Sequence, residues 1–119
     1  MKASLYDRLG GFDRISKIVN DLVDLHIANP LINTRFANSD AAALKQKATA
    51  FFCAGIGGTE TYTGKDMVSA HRGMNISEQE FIAVIDDALA ALDKNGVGAE
   101  ERMEVLAILY SMKSQVTRL

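Results

Sequence analysis

Only two histidines, His26 and His71, and a single cysteine, Cys53, are present. One cysteine excludes an internal disulfide framework and any cysteine-rich zinc or iron-sulfur site built by this chain alone, so a bound metal would take mainly histidine or carboxylate ligands. His26 falls on an apolar helical face, where a lone histidine is most often a hydrogen-bonded core residue. His71 ends a short amphipathic turn and, taken alone, reads as a surface or capping histidine favoured by a helix C-terminus. A ligand role stays open for both. Cys53 follows Phe51-Phe52 with no base nearby in sequence, which makes a buried, inert thiol the default. The pairs Asp86-Asp87 and Glu100-Glu101 are sequence neighbours that point in different directions on a helix, and they read as solvated surface. Gly57-Gly58 and Gly64-Lys65 lack the spacing of a phosphate-binding loop, and no G-x-S-x-G elbow is present.

Apolar periodicity and glycine punctuation supply helices to position these groups; no segment alternates as a strand does. Ser4 and Asp7, in capping-box spacing, open a short block that ends at Gly10-Gly11. A second helix is expected from about Asp13, with Ile15, Ile18, Val19, Leu22 and His26 on one face, ending just before Pro30, the only proline. Asn38-Ser39-Asp40 offers N-cap oxygens for a third helix facing inward through Leu44, Ala48, Phe51, Phe52 and Gly55 and stopped by Gly57-Gly58. Thr59 to Gly64 reads as a polar loop, and Lys65 to His71 as a turn or two of helix. Ser77 and Glu80 repeat the capping-box signature ahead of Phe81, Val84, Ile85, Ala88, Leu89 and Leu92, closed by Asn95-Gly96. The last helix is expected from Ala99 to Val116 with Met103, Leu106, Ala107 and Tyr110 on its main apolar face. The expectation is an all-α single domain over residues 1–119, with an irregular stretch from Gly57 to Gly73 of the kind that is often functional.

Composition narrows the partners. The 119 residues are 48% hydrophobic and 24% charged, enough for one core. Thirteen Lys and Arg against 15 Asp and Glu leave a charge of -2, with no basic excess for nucleic acid. No run approaches the roughly 20 apolar residues of a membrane span, and the polar start lacks a signal core, so a cytoplasmic protein is expected.

The chain resembles the truncated haemoglobins of group I, the shortened two-over-two globins, over nearly its whole length. The resemblance is carried by Leu5-Tyr6-Asp7-Arg8-Leu9-Gly10-Gly11, by Pro30-Leu31 through Phe36, by Phe51-Phe52 before Gly57-Gly58, and by Tyr62-Thr63-Gly64 with Met67 and His71. It implies a two-over-two helical sandwich around haem b, with His71 as the proximal iron ligand through one ring nitrogen while the other donates to a backbone carbonyl. It further implies that Phe36 packs on the haem face, that Phe51, Met67, Phe81 and Val84 line the pocket, and that Lys47, Tyr62 and Arg72 reach the propionates. Phe52 takes a position that gates a gas tunnel in relatives.

On the distal side the sequence departs from the family pattern, in which a tyrosine and a glutamine or histidine hydrogen-bond bound dioxygen. The matching positions are Val23, Leu44 and Ala48, none of which donates a hydrogen bond; Lys47 or His26 could substitute, His26 as donor or sixth ligand. The function the resemblance implies is reversible binding of oxygen, carbon monoxide or nitric oxide at five-coordinate iron. The alternatives are a nitric oxide dioxygenase served by a reductase, a peroxidase-like enzyme, and a haem-free interaction module.

Overall fold

Ser4 starts the first helix: its Oγ accepts the Asp7 N–H at 3.1 Å, an N-cap bond that satisfies one of the donors a helix start leaves open. In the computed structural model, which describes residues 3–58, 62 and 64–119, this helix is α1 (Leu5–Arg8). Gly10, at φ +102°, turns the chain into α2 (Gly11–Ala28); a Cβ there would lie 2.2 Å from the Arg14 side chain. Only glycine meets both demands, and it lets α2 begin two residues before the expected Asp13. Asn29 leaves α2 in extended backbone, the conformation a residue before proline prefers.

A single 3-10 turn (Asn33–Phe36) leads to Asp40, whose carboxylate accepts the N–H groups of Ala42 and Ala43 at 3.0 and 3.3 Å and starts α3 (Ala41–Gly55). After the irregular stretch come α4 (Met67–His71), α5 (Glu78–Lys94), α6 (Ala99–Ser111) and α7 (Lys113–Val116). Thr59, Glu60, Thr61 and Thr63, most of the expected polar loop, lie outside the described residues. The reciprocal Ser77–Glu80 capping box at the start of α5 forms as its spacing predicts, each side chain bonded to the other's backbone N–H at 3.1 Å.

The core lies where α2 crosses α3 and α5. Ile15, Ile18, Val19 and Val23 of α2 meet Cys53 of α3, Ala91 and Leu92 of α5 and Val105 of α6, with Ile15 and Cys53 fully buried. Burying one such branched side chain stabilises the fold by roughly 1.5–3 kcal/mol. Arg8 clamps α1 to α6 by donating to both carboxylate oxygens of Glu104. The C-terminus returns to the segment after α4, where Asn75 donates to the Leu119 carbonyl at 2.8 Å and Arg118 to that of Ile76 at 2.9 Å. All regular elements among the described residues are helical, so the all-α fold class holds.

Three local expectations change. The last helix is interrupted at Met112, giving α6 and α7 in place of one helix to Val116. Its buried face runs through Val105, Ile108, Leu109 and Met112, opposite the expected one, and leaves Met103 and Tyr110 exposed. Two interleaved apolar stripes are present in α6, and packing against α1 and α5 decides between them. On α3 the deepest residues are Thr49 and Cys53, while Gly55 is exposed and Leu44, Ala48 and Phe52 pack at the edge of the core.

Candidate functional site

Asp66 caps α4 by accepting the Ser69 N–H at 2.7 Å, and the five-residue helix delivers Met67 and His71 to one side. His71 Nδ1 lies 2.8 Å from the Met67 carbonyl oxygen. A carbonyl only accepts, so Nδ1 carries a hydrogen, and in the neutral ring Nε2 is then the nitrogen with the lone pair. A neutral imidazole held in this tautomer by a backbone carbonyl is the form that ligates a metal.

His71 is half-buried against a cavity of about 270 Å³, far larger than the roughly 10–15 Å³ one water needs. Its walls are mostly apolar. Ile32 precedes the 3-10 turn and Phe36 ends it, Met67 comes from α4, Phe81 and Val84 from α5, Leu109 from α6, Val116 from α7, and Met112 lies between the last two. Met74 and Ile76, in the connection to α5, complete this surface. With His26, six of the residues picked from the sequence line this cavity, the others being Phe36, Met67, His71, Phe81 and Val84.

Polar groups enter the wall at two points. Arg35 donates from Nε and Nη2 to the two carboxylate oxygens of Glu80, at 2.7 and 2.9 Å, and from Nη1 to the Met74 carbonyl at 2.7 Å. This guanidinium holds the Glu80 carboxyl down to about 2, with the Ser77 backbone N–H adding to the effect. At the second point His26 Nδ1 meets Asp87 Oδ2 at 2.7 Å, and the ring stacks on Phe36 with centroids 5.7 Å apart and planes 12° from parallel. Burial pushes the His26 pKa down against the opposing pull of Asp87. Asp87 also accepts from Asn29 Nδ2 at 3.2 Å, so it belongs to an interior network and not to the solvated surface expected for Asp86-Asp87.

Arg35, Glu80 and Asp87 escape a sequence reading because their partners lie 45 and 61 positions away. The remaining picked residues lie elsewhere. Val23 is buried in the core, and Leu44 and Ala48 are partly buried and packed against the same cluster, outside the lining of the His71 cavity. Phe51 meets Tyr62 edge to face at 5.0 Å, and Tyr62 donates its hydroxyl to the Lys65 carbonyl. Lys47 and Arg72 are exposed. Among the described residues no three His, Cys, Asp or Glu side chains cluster to hold a bare metal ion. No helix among them is long and apolar enough to cross a membrane.

A short helix carrying a tautomer-fixed histidine into an apolar cavity is the arrangement of a globin. The sequence profile of the bacterial-like globins matches residues 4–118. The group 1 truncated haemoglobin GlbN of Mycolicibacterium paratuberculosis is 30% identical over 114 residues, covering 96% of this chain and 84% of the relative. GlbN of Nostoc sp. is 28% identical over 96% and 97% of the two chains. The crystal structure of the Fe(III) form of truncated haemoglobin from Tetrahymena pyriformis superposes with a TM-score of 0.94 at 26% identity, covering 98% of this chain and all of the other. This chain belongs to the bacterial-like globin family, among the group 1 truncated haemoglobins.

Proposed function

We propose that the protein is a haem globin that binds small gas ligands, with His71 as the iron's protein ligand. The observation that carries this reading is the His71 Nδ1–Met67 carbonyl bond, which leaves an Nε2 lone pair on a residue of the apolar cavity wall. The donor set fits the group: one imidazole for the iron, flat and flexible apolar side chains for the porphyrin faces, and no competing cluster of ligands among the described residues. Haem b would supply an iron atom that binds oxygen, carbon monoxide or nitric oxide when reduced.

The chain's own residues hold and seal the group. Phe36, Met67, Phe81 and Val84 bury its faces and edges, each Å² of apolar surface being worth about 25 cal/mol. Lys47, Tyr62 and Arg72 are the proposed propionate partners, and Phe51 lies beside Tyr62. Val23, Leu44 and Ala48 make the distal side apolar and exclude water from the ligand.

Titration of the protein with hemin tests the reading. A Soret band with a ferrous carbon monoxide form is expected for the wild type, and its loss or collapse to a weakly held species in His71→Ala. An unchanged spectrum in His71→Ala would remove His71 from this role, and no Soret band in the wild type would defeat the haem assignment.

A further inference from the structure

Helix α6 carries more apolar surface than the core uses. Val105, Ile108 and Leu109 face inward, while a second stripe, Met103, Leu106, Ala107 and Tyr110, runs along the other side at spacings i, i+3, i+4 and i+7. Met103 is 71% exposed and Tyr110 49%, Ala107 is exposed and Leu106 partly buried. Apolar side chains scattered singly on a surface are ordinary, whereas a row of them on one helical face makes the seam by which one helix packs on another. Tyr110 is already held in place for such a contact, because its ring meets Phe81 edge to face with centroids 5.8 Å apart.

The stripe is complementary to itself. When two copies of α6 lie antiparallel about a two-fold axis that passes between Leu106 and Ala107, residues equally far from the axis in sequence face each other. Met103 then meets Tyr110, a thioether against an aromatic ring, and Leu106 meets Ala107, a large side chain against a small one. Glu100, one turn before Met103, meets Lys113, the first residue of α7. A parallel arrangement would set Glu100 beside Glu100 and Lys113 beside Lys113, so charge selects the antiparallel one. Lys113 lies 3.7 Å from Glu78 at an exposed site, and Arg118 reaches the same carboxylate at 3.2 Å, so Glu78 keeps a cation when Lys113 turns to a partner. Glu101 and Glu104 are turned toward Arg8, on the α1 side of the helix.

We propose that this face of α6 docks on the same face of a second copy of the chain, forming an antiparallel, two-fold symmetric homodimer. The stripe spans about two turns of helix, well short of a permanent interface, so the dimer is weak and half-formed at roughly 100 µM.

Sedimentation equilibrium of the full chain between roughly 10 µM and 1 mM is expected to show monomer and dimer in exchange. Ala107→Glu sets like charges at the two-fold axis and is expected to weaken association at least about tenfold while leaving the circular dichroism spectrum unchanged. Glu100→Lys and Lys113→Glu each bring like charges together and are expected to be more monomeric than the wild type. An equimolar mixture of these two variants sets opposite charges at both contacts of the heterodimer, and association is expected to return. A wild-type protein that stays monomeric at the highest concentration overturns the proposal and leaves the stripe to a different partner. Association that Ala107→Glu does not change, or a mixture no more associated than its separate components, places the contact elsewhere and overturns it as well.

Discussion

Arg35 and Glu80 meet in a two-point ion pair that joins the 3-10 turn to the first turn of α5, with both side chains in the wall of the His71 cavity. The same guanidinium bonds the Met74 carbonyl, so one residue ties together three segments that frame the site. Bidentate charged hydrogen bonds of this kind are the strong ones.

Acid should expose that pair. The Glu80 carboxyl lies at about 2 in the folded protein against an ordinary 4.5, so its contribution is complete above about pH 4.5 and is lost as pH falls toward 2. Arg35→Ala is expected to destabilise the protein by about 1–3 kcal/mol at pH 7 and to flatten the stability profile between pH 4.5 and 2. Urea unfolding followed by circular dichroism across that range measures both, and parallel profiles for the two proteins would contradict it.

His26 should titrate below its ordinary 6.5, because burial opposes its charge. Protonating it in the fold is costly, so its part of the stability is present above pH 6.5 and declines as pH drops through the lowered value. Asp87 counteracts that lowering, and Asp87→Asn should move the His26 titration further to acid. The imidazole proton resonances report it; a shift toward alkaline pH would be inconsistent with the Nδ1–Asp87 bond.

Val23, Leu44 and Ala48 supply no hydrogen bond to bound dioxygen, so rapid dioxygen dissociation is expected of the hemin-loaded ferrous protein. Leu44→Gln adds a donor on a half-buried side chain and should slow dissociation about tenfold, the equivalent of about 1.4 kcal/mol, with carbon monoxide little affected. Stopped-flow ligand replacement tests this, and a slow wild-type rate that Leu44→Gln leaves unchanged would count against an apolar distal side.

On α6 the buried stripe makes a stability prediction. Val105→Ala is expected to cost about 1–3 kcal/mol, while Met103→Ala, on the exposed side, should change stability by no more than about 0.5 kcal/mol. Thermal melts of the two variants suffice, and a reversed order would place the other stripe inside.

Short-range rules account for what was legible in the chain. Ser77 with Glu80, Asp40 before an apolar run, and Asn29 before Pro30 set helix ends through bonds and steric limits that span a few residues, and those ends stand where the sequence places them. The order and spacing of its motifs also carried the family resemblance, and it is that resemblance which points to His71, whose Nδ1 bonds a carbonyl four positions earlier on its own helix. Tertiary packing decided the rest. Two apolar stripes on α6 have similar local claims, and only contact with the other helices selects Val105 over Met103. Nothing near Asp87 in sequence distinguishes it from Asp86, yet the crossing of α2 and α5 brings it within 2.7 Å of a histidine 61 residues away. A carboxylate's environment is set by whatever the fold carries to it, so the ion pair and the His26–Asp87 contact beside the cavity, unlike the Nδ1 bond of His71, became visible only with the chain folded.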